Sequence, residues 1–178
     1  MPKEQIRVST YALAVSYRES ADLLVDLLAP EQSVAGHKIF PAMFLYSHAI
    51  ELFLKEYLRL KEHREKKSFG HNLTRLWATA KSEGITLAPP NQMDSLISNL
   101  KSGHEDYQFR YSDRSFNTSG PYWMRRDVEK LADAVAIEVE RKRKEHADKP
   151  VEPGYVAIPL IQAMFISIDI DRPPKPTT

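Results

Sequence analysis

The sequence predicts an all-α, up-and-down bundle of four to five helices followed by a C-terminal extension. Two observations carry that expectation. Apolar residues recur at helical steps over most of the first 146 positions. Proline, glycine and asparagine fall between the periodic stretches, where helices start and stop. The chain has 178 residues, 42% hydrophobic and 28% charged, which suits one globular domain and is too apolar for a disordered chain. Residues 1–149 are read as the bundle and 150–178 as an extension packing on it or on a dimer partner.

The first helix is expected over residues 5–28. Leu13, Tyr17, Leu24 and Leu28 form its stripe, Leu27 widens it, and Pro30 ends it. Residues 31–38 form a loop. The second helix is expected from about 41 to 66, with Pro41 in its first turn. It is apolar around most of its circumference, as the central helix of a bundle would be, and its KEHREKK tail reads as solvated. Asn72 is the N-cap expected for a third helix, 73–83, which buries Leu73, Leu76, Trp77 and Ala80 and stops at Gly84. A fourth, 91–103, turns Met93, Leu96, Ile97 and Leu100 inward and ends at Gly103. Residues 104–121 have no period and read as a long loop. The last helix, 122–146, carries Trp123, Val128, Leu131, Val135 and Val139. Within the extension, VAIPLIQAMFISIDID fits a strand or a helix equally well, and its apolar character makes self-association as a homodimer expected.

Composition excludes several classes. The formal net charge is +1, so no global field draws the chain to nucleic acid or an anionic membrane. There is no cysteine, hence no disulfide, thiolate metal site or cysteine nucleophile, which suits the cytoplasm. The N-terminal MPKEQIRVST lacks the apolar core of a signal peptide, and the run at 158–168 is too short to span a bilayer. No phosphate-binding glycine loop, dinucleotide fingerprint or HExxH is present. The histidines, at 37, 48, 63, 71, 104 and 146, show no ligand spacing that demands a metal, and no Glu-x-x-His completes a di-iron bundle. Neither a metal nor a cofactor is therefore expected.

The segment FPAMFLYSHAIELFLKEYLRLKEH places His48, Glu51, Lys55, Arg59 and Glu62 three or four residues apart, one polar stripe on an apolar helix. Either the stripe is a solvated face with an i,i+4 Glu51–Lys55 pair, or Glu51 and Lys55 hold a neighbouring helix by a partly buried ion pair. His48, Glu51, Lys55 and His71 form the expected polar seam. His71, after a glycine at a helix start, either fixes that turn or acts as a general base.

Ile50-Glu51-Leu52-x-Leu54-Lys55-x-x-Leu58, followed by Gly70-His71-x-Leu73 opening the next helix, resembles the HEPN superfamily. YALAVSYRESADLL in the first helix and Phe109-Arg110-Tyr111 after the fourth are similar to HEPN segments as well, so the resemblance covers roughly residues 8–145. It implies an up-and-down bundle, often dimeric and commonly prokaryotic. It also implies one of two roles. The first is a non-catalytic module in a defence or stress system, binding RNA, a nucleotide or a partner protein such as a nucleotidyltransferase or antitoxin. The second is a metal-independent ribonuclease toxin with an Arg-x(4–6)-His motif.

Arg141–His146 and Arg64–His71 both satisfy the bare motif, although about one match is expected by coincidence in a chain this rich in arginine. Lys142 and Glu65 stand where active members carry Asn, Asp or His. In such an enzyme the arginine stabilises the phosphorane charge and the histidine moves the 2′-OH proton. A ligand site is the other candidate. Tyr107, Phe109, Arg110, Tyr111, Arg114, Trp123, Arg125 and Arg126 interleave aromatic faces for bases with guanidinium groups for phosphates. The alternative is a loop anchored by its aromatics, with its arginines paired to Glu105, Asp106 and Asp113. A purely structural homodimer is the remaining possibility.

Overall fold

A computed structural model of the chain describes residues 9–28, 39–62, 69–105 and 121–147. These residues form five helices and no strand: α1 (Thr10–Leu28), α2 (Phe40–Leu60), α3 (Leu73–Ser82), α4 (Pro90–Glu105) and α5 (Pro121–Ala147). None of the described helices is long and apolar enough to cross a membrane. The segments expected to form the long loop's interior and the extension lie outside the described residues, as does the choice between strand and helix for the latter.

The central helix is α2, which packs against all four others. Its interior face is nearly continuous: Ala42, Met43, Tyr46, Ala49, Ile50, Phe53 and Leu54 are all buried. The neighbouring helices supply Leu73, Leu76, Trp77 and Ala80 from α3, Met93, Leu96, Ile97 and Leu100 from α4, and Met124, Val128, Leu131 and Val135 from α5. At that degree of burial each large aliphatic side chain contributes about 1.5–3 kcal/mol.

Five boundaries and faces differ from expectation. The first helix begins at Thr10, because Ser9 Oγ accepts from the Ala12 amide at 3.1 Å and caps it. The core face of α1 is Ala14, Ala21 and Val25, while Leu13 and Leu27 are exposed. Small residues let α1 lie close on α2, which turns the leucines outward. The second helix stops at Leu60 rather than 66. Lys61 and Glu62 return their amides to Tyr57 and Arg59, and Glu62 takes a left-handed φ of 58°. The fourth helix continues through Gly103 to Glu105, which places His104 on a helix and not in a loop. Trp123 lies outside the core, 59% exposed, and Met124 takes the inward position.

Polar anchors fix the helices laterally. Asn72 caps α3 by accepting from the Arg75 amide at 2.7 Å, and Gly84 follows the helix with a φ of 91°. Trp77 Nε1 and Lys81 Nζ both donate to Asp94 of α4 at 2.6 Å. Tyr57 donates its hydroxyl to the Glu83 carbonyl. At the far side Tyr46 of α2 and Arg125 of α5 meet on Asp22 of α1, at 2.5 and 2.9 Å. Burial, reinforced by Asp22, pushes the Tyr46 hydroxyl well above its usual range.

Candidate functional site

The polar stripe of α2 divides. Its lower part is surface: Arg59 pairs with Glu56 on its own helix and Glu62 with Lys142. Its upper part enters the bundle, where Glu51 is 1% exposed. Lys55 Nζ donates to Glu51 Oε1 at 2.5 Å, one turn along α2. His71 Nδ1 stands 3.1 Å from Oε1 and 3.0 Å from Oε2. His104 Nε2 stands 2.7 Å from Oε2. His48 is more distant, its Nδ1 3.8 Å from Oε2, beyond hydrogen-bond range; its ring lies edge-on to Tyr17 and stacks on Phe44.

Three local features bring these groups together. Helical spacing sets Lys55 over Glu51. Gly70, at a φ of 57°, makes the turn that delivers His71 just ahead of the Asn72 cap. The last turn of α4 delivers His104, which is buried and also meets Ser47 Oγ through Nδ1 at 3.0 Å. Burial alone pushes the Glu51 carboxyl up. The contacts of His104, with His48, Lys55 and His71 behind it, outweigh that and hold it well below the ordinary carboxylate range.

Of the residues in the expected seam, Lys55 and His71 bond Glu51 and His48 stands off, while His104, which the sequence reading left out, joins them. His104 follows Leu100 by four residues and continues the inward row Met93, Leu96, Ile97 and Leu100. Treating Gly103 as a stop hides that signal. Glu51, His71 and His104 each present a ligand atom, all within 4.8 Å of one another, so these three residues can hold a metal ion.

The other candidates scatter. Arg141 Nε donates to Glu138 at 2.9 Å, and its terminal nitrogens bond Glu138 and Glu145 on the same helix. Arg64 and the His146 side chain lie outside the described residues, as do Tyr107, Phe109, Arg110, Tyr111 and Arg114. Arg125 is bound to α1, with Nε on Asp22, one terminal nitrogen on Asp26 at 2.8 Å and the other on the Asp22 carbonyl at 2.8 Å. Its partners among the described residues are on α1; the Glu105 side chain, Asp106 and Asp113 lie outside them.

No protein-family model matches this chain, and no curated protein or solved structure does.

Trp123 and Arg126 come together at a second place. A cavity of about 280 Å³ opens between α2, α4 and α5, lined by Met43, Leu96, Leu100, Trp123, Arg126 and Asp127 among others. The Arg126 guanidinium lies 5.4 Å from the Trp123 ring centre. Asp127 is 7% exposed, and its Oδ1 has no hydrogen-bond partner among the described residues; it forms an ion pair with Arg126 Nε at 3.6 Å. A buried carboxylate oxygen without a donor costs free energy unless something supplies one.

Proposed function

We propose that this chain is a non-catalytic HEPN-like binding module, and that the cavity between α2, α4 and α5 receives the base of a nucleotide. The observation that carries the proposal is the buried Asp127 Oδ1, without a hydrogen bond among the described residues, in a cavity that Gln92, Ser95, Asn99 and Arg126 line together with Met43, Leu96, Leu100, Trp123 and Met124. A ligand suited to it has a flat apolar body and an N–H edge, which a nucleobase supplies. Trp123 offers an aromatic face at the rim, and Arg126 offers a cation for a phosphate left outside. The five-helix architecture, with the Ile50–Leu58 segment as its buried centre and Gly70-His71 ahead of α3, agrees with the HEPN resemblance. Within such a module a partner protein, nucleotidyltransferase or antitoxin, would use the bound nucleotide as its signal.

Two carboxylates already surround Arg141, which disfavours it as the group that stabilises a phosphorane. The test is titration of the full chain with AMP, GMP, CMP and UMP, read by tryptophan fluorescence. Trp77→Phe removes the buried reporter and leaves Trp123. Saturable quenching by at least one nucleotide, lost in Asp127→Ala, is expected. No response to any of the four overturns the nucleotide assignment. RNA cleavage in EDTA that disappears in Arg141→Ala would replace the binding module with a ribonuclease.

A further inference from the structure

His104 Nδ1 stands 3.0 Å from Ser47 Oγ, which also lies 2.8 Å from the Phe44 carbonyl, a group that can only accept. With the hydroxyl proton on Phe44, His104 donates through Nδ1, and its Nε2 lone pair faces Glu51 Oε2 at 2.7 Å, an arrangement that a metal ion between the two satisfies. With the hydroxyl turned to Nδ1, Nε2–H donates to Glu51 instead.

We infer that Glu51, His71 and His104 form a binding site for a divalent first-row transition ion, with zinc the best fit. Two imidazoles and one carboxylate are a zinc-type donor set, too nitrogen-rich for magnesium or calcium. With metal–ligand bonds of about 2.0–2.2 Å, tetrahedral ligand atoms stand roughly 3.4 Å apart. Oε2 to His104 Nε2 and Oε2 to His71 Nδ1 are 2.7 and 3.0 Å, so those edges open by about 0.7 and 0.4 Å when the ion enters.

The surroundings fit a metal centre. Ser47 Oγ meets the other ring nitrogen of His104, Nδ1, the position from which outer hydrogen bonds orient metal-binding histidines. Lys55 engages the other carboxylate oxygen, Oε1, which leaves Oε2 for the ion. His48 stands off at 3.8 Å. His71 is half exposed to solvent. None of the cavity residues named above belongs to this cluster, so the inference stands or falls independently of the nucleotide assignment.

The experiment is titration of the untagged, chelator-stripped full chain with Co²⁺, read by its visible ligand-field bands, followed by displacement with Zn²⁺. Expected are one cobalt per chain, loss of the bands on adding zinc, and at least tenfold weaker binding in both His71→Ala and Glu51→Gln. The exposed His71 can be removed without opening the core, and the glutamine amide can donate to the His104 lone pair, so both variants should keep the helical circular dichroism of the parent. Absence of saturable cobalt binding in the parent overturns the inference. So does wild-type affinity in either variant. Either outcome leaves a proton between His104 and Glu51.

Discussion

Replacing Glu51 separates charge from hydrogen bonding in the buried cluster. Glu51→Ala removes the acceptor facing His104 and Lys55 in a place 1% exposed to solvent, and leaves those groups without their partner. Breaking a buried pair in this way costs about 3–5 kcal/mol. For a chain of this length that corresponds to a loss of roughly 6–20 °C in melting temperature. Glu51→Gln has a different outcome. Its carbonyl oxygen still accepts from Lys55 at the Oε1 position, and its amide sits where Oε2 was. There it donates to His104 Nε2 in the tautomer whose Nδ1 donates to Ser47 Oγ. The glutamine variant should therefore retain most of the stability, within about 1–2 kcal/mol of the parent in metal-free buffer. Urea denaturation of the three proteins in EDTA decides the matter. If glutamine is as damaging as alanine, the negative charge of Glu51, and not its hydrogen bonding alone, holds the cluster together.

Other perturbations test the frame. Arg125→Ala removes the tie from α5 to Asp22 and Asp26 and should cost about 1–2 kcal/mol, the value being tempered by partial solvent exposure; a double-mutant cycle with Asp22→Ala should recover most of it as coupling. Phe53→Ala, at a fully buried position of α2, should cost about 3–5 kcal/mol in urea denaturation. Gly84→Ala has open space for its methyl group but must hold a φ of 91°, so a loss of about 1–2 kcal/mol should appear from backbone strain alone. Glu138 is held below the ordinary carboxylate range by Arg141, against its burial and with help from Lys61. Its stabilising contribution is thus fully present above the unfolded glutamate value of about 4.3 and fades as pH falls through the lower folded value. Glu138→Gln should flatten the decline in stability on acidification, measured by urea midpoints from pH 6 downward.

Much of the architecture is legible in the sequence because each signal is local. The spacing of Leu73, Leu76, Trp77 and Ala80, with Asn72 ahead and Gly84 behind, specifies α3 almost completely. Glu51 and Lys55 are visible as a helical pair, and Gly70-His71 as a helix opening. What periodicity misses depends on other helices. Leucine spacing on α1 finds only the flank of the buried face: Tyr17 and Leu24 pack against the core, Leu13 and Leu27 are exposed, and Ala14, Ala21 and Val25 hold the centre. Trp123 fits the α5 stripe by count, yet lies at the rim of a cavity that only three helices together create. His104 is concealed by one glycine, a weak stop when the apolar row continues beyond it. That Asp127 would be buried without a donor has no signature in one dimension, since an aspartate in the first turns of a helix is ordinary.

The meeting of Tyr46, Asp22 and Arg125 also bears on how the chain folds. Helices α1 and α2 are adjacent in sequence and make the most extensive helix pair, so they can associate early through short loop closure. Asp22 and Arg125 are 103 positions apart, and their bond forms only when the first and last described helices arrive together. The α1–α2 hairpin remains incompletely covered until α5 docks. A chain shortened before residue 121 therefore loses more than one helix: it cannot close the bundle, and the cooperativity of the whole unfolding transition goes with it.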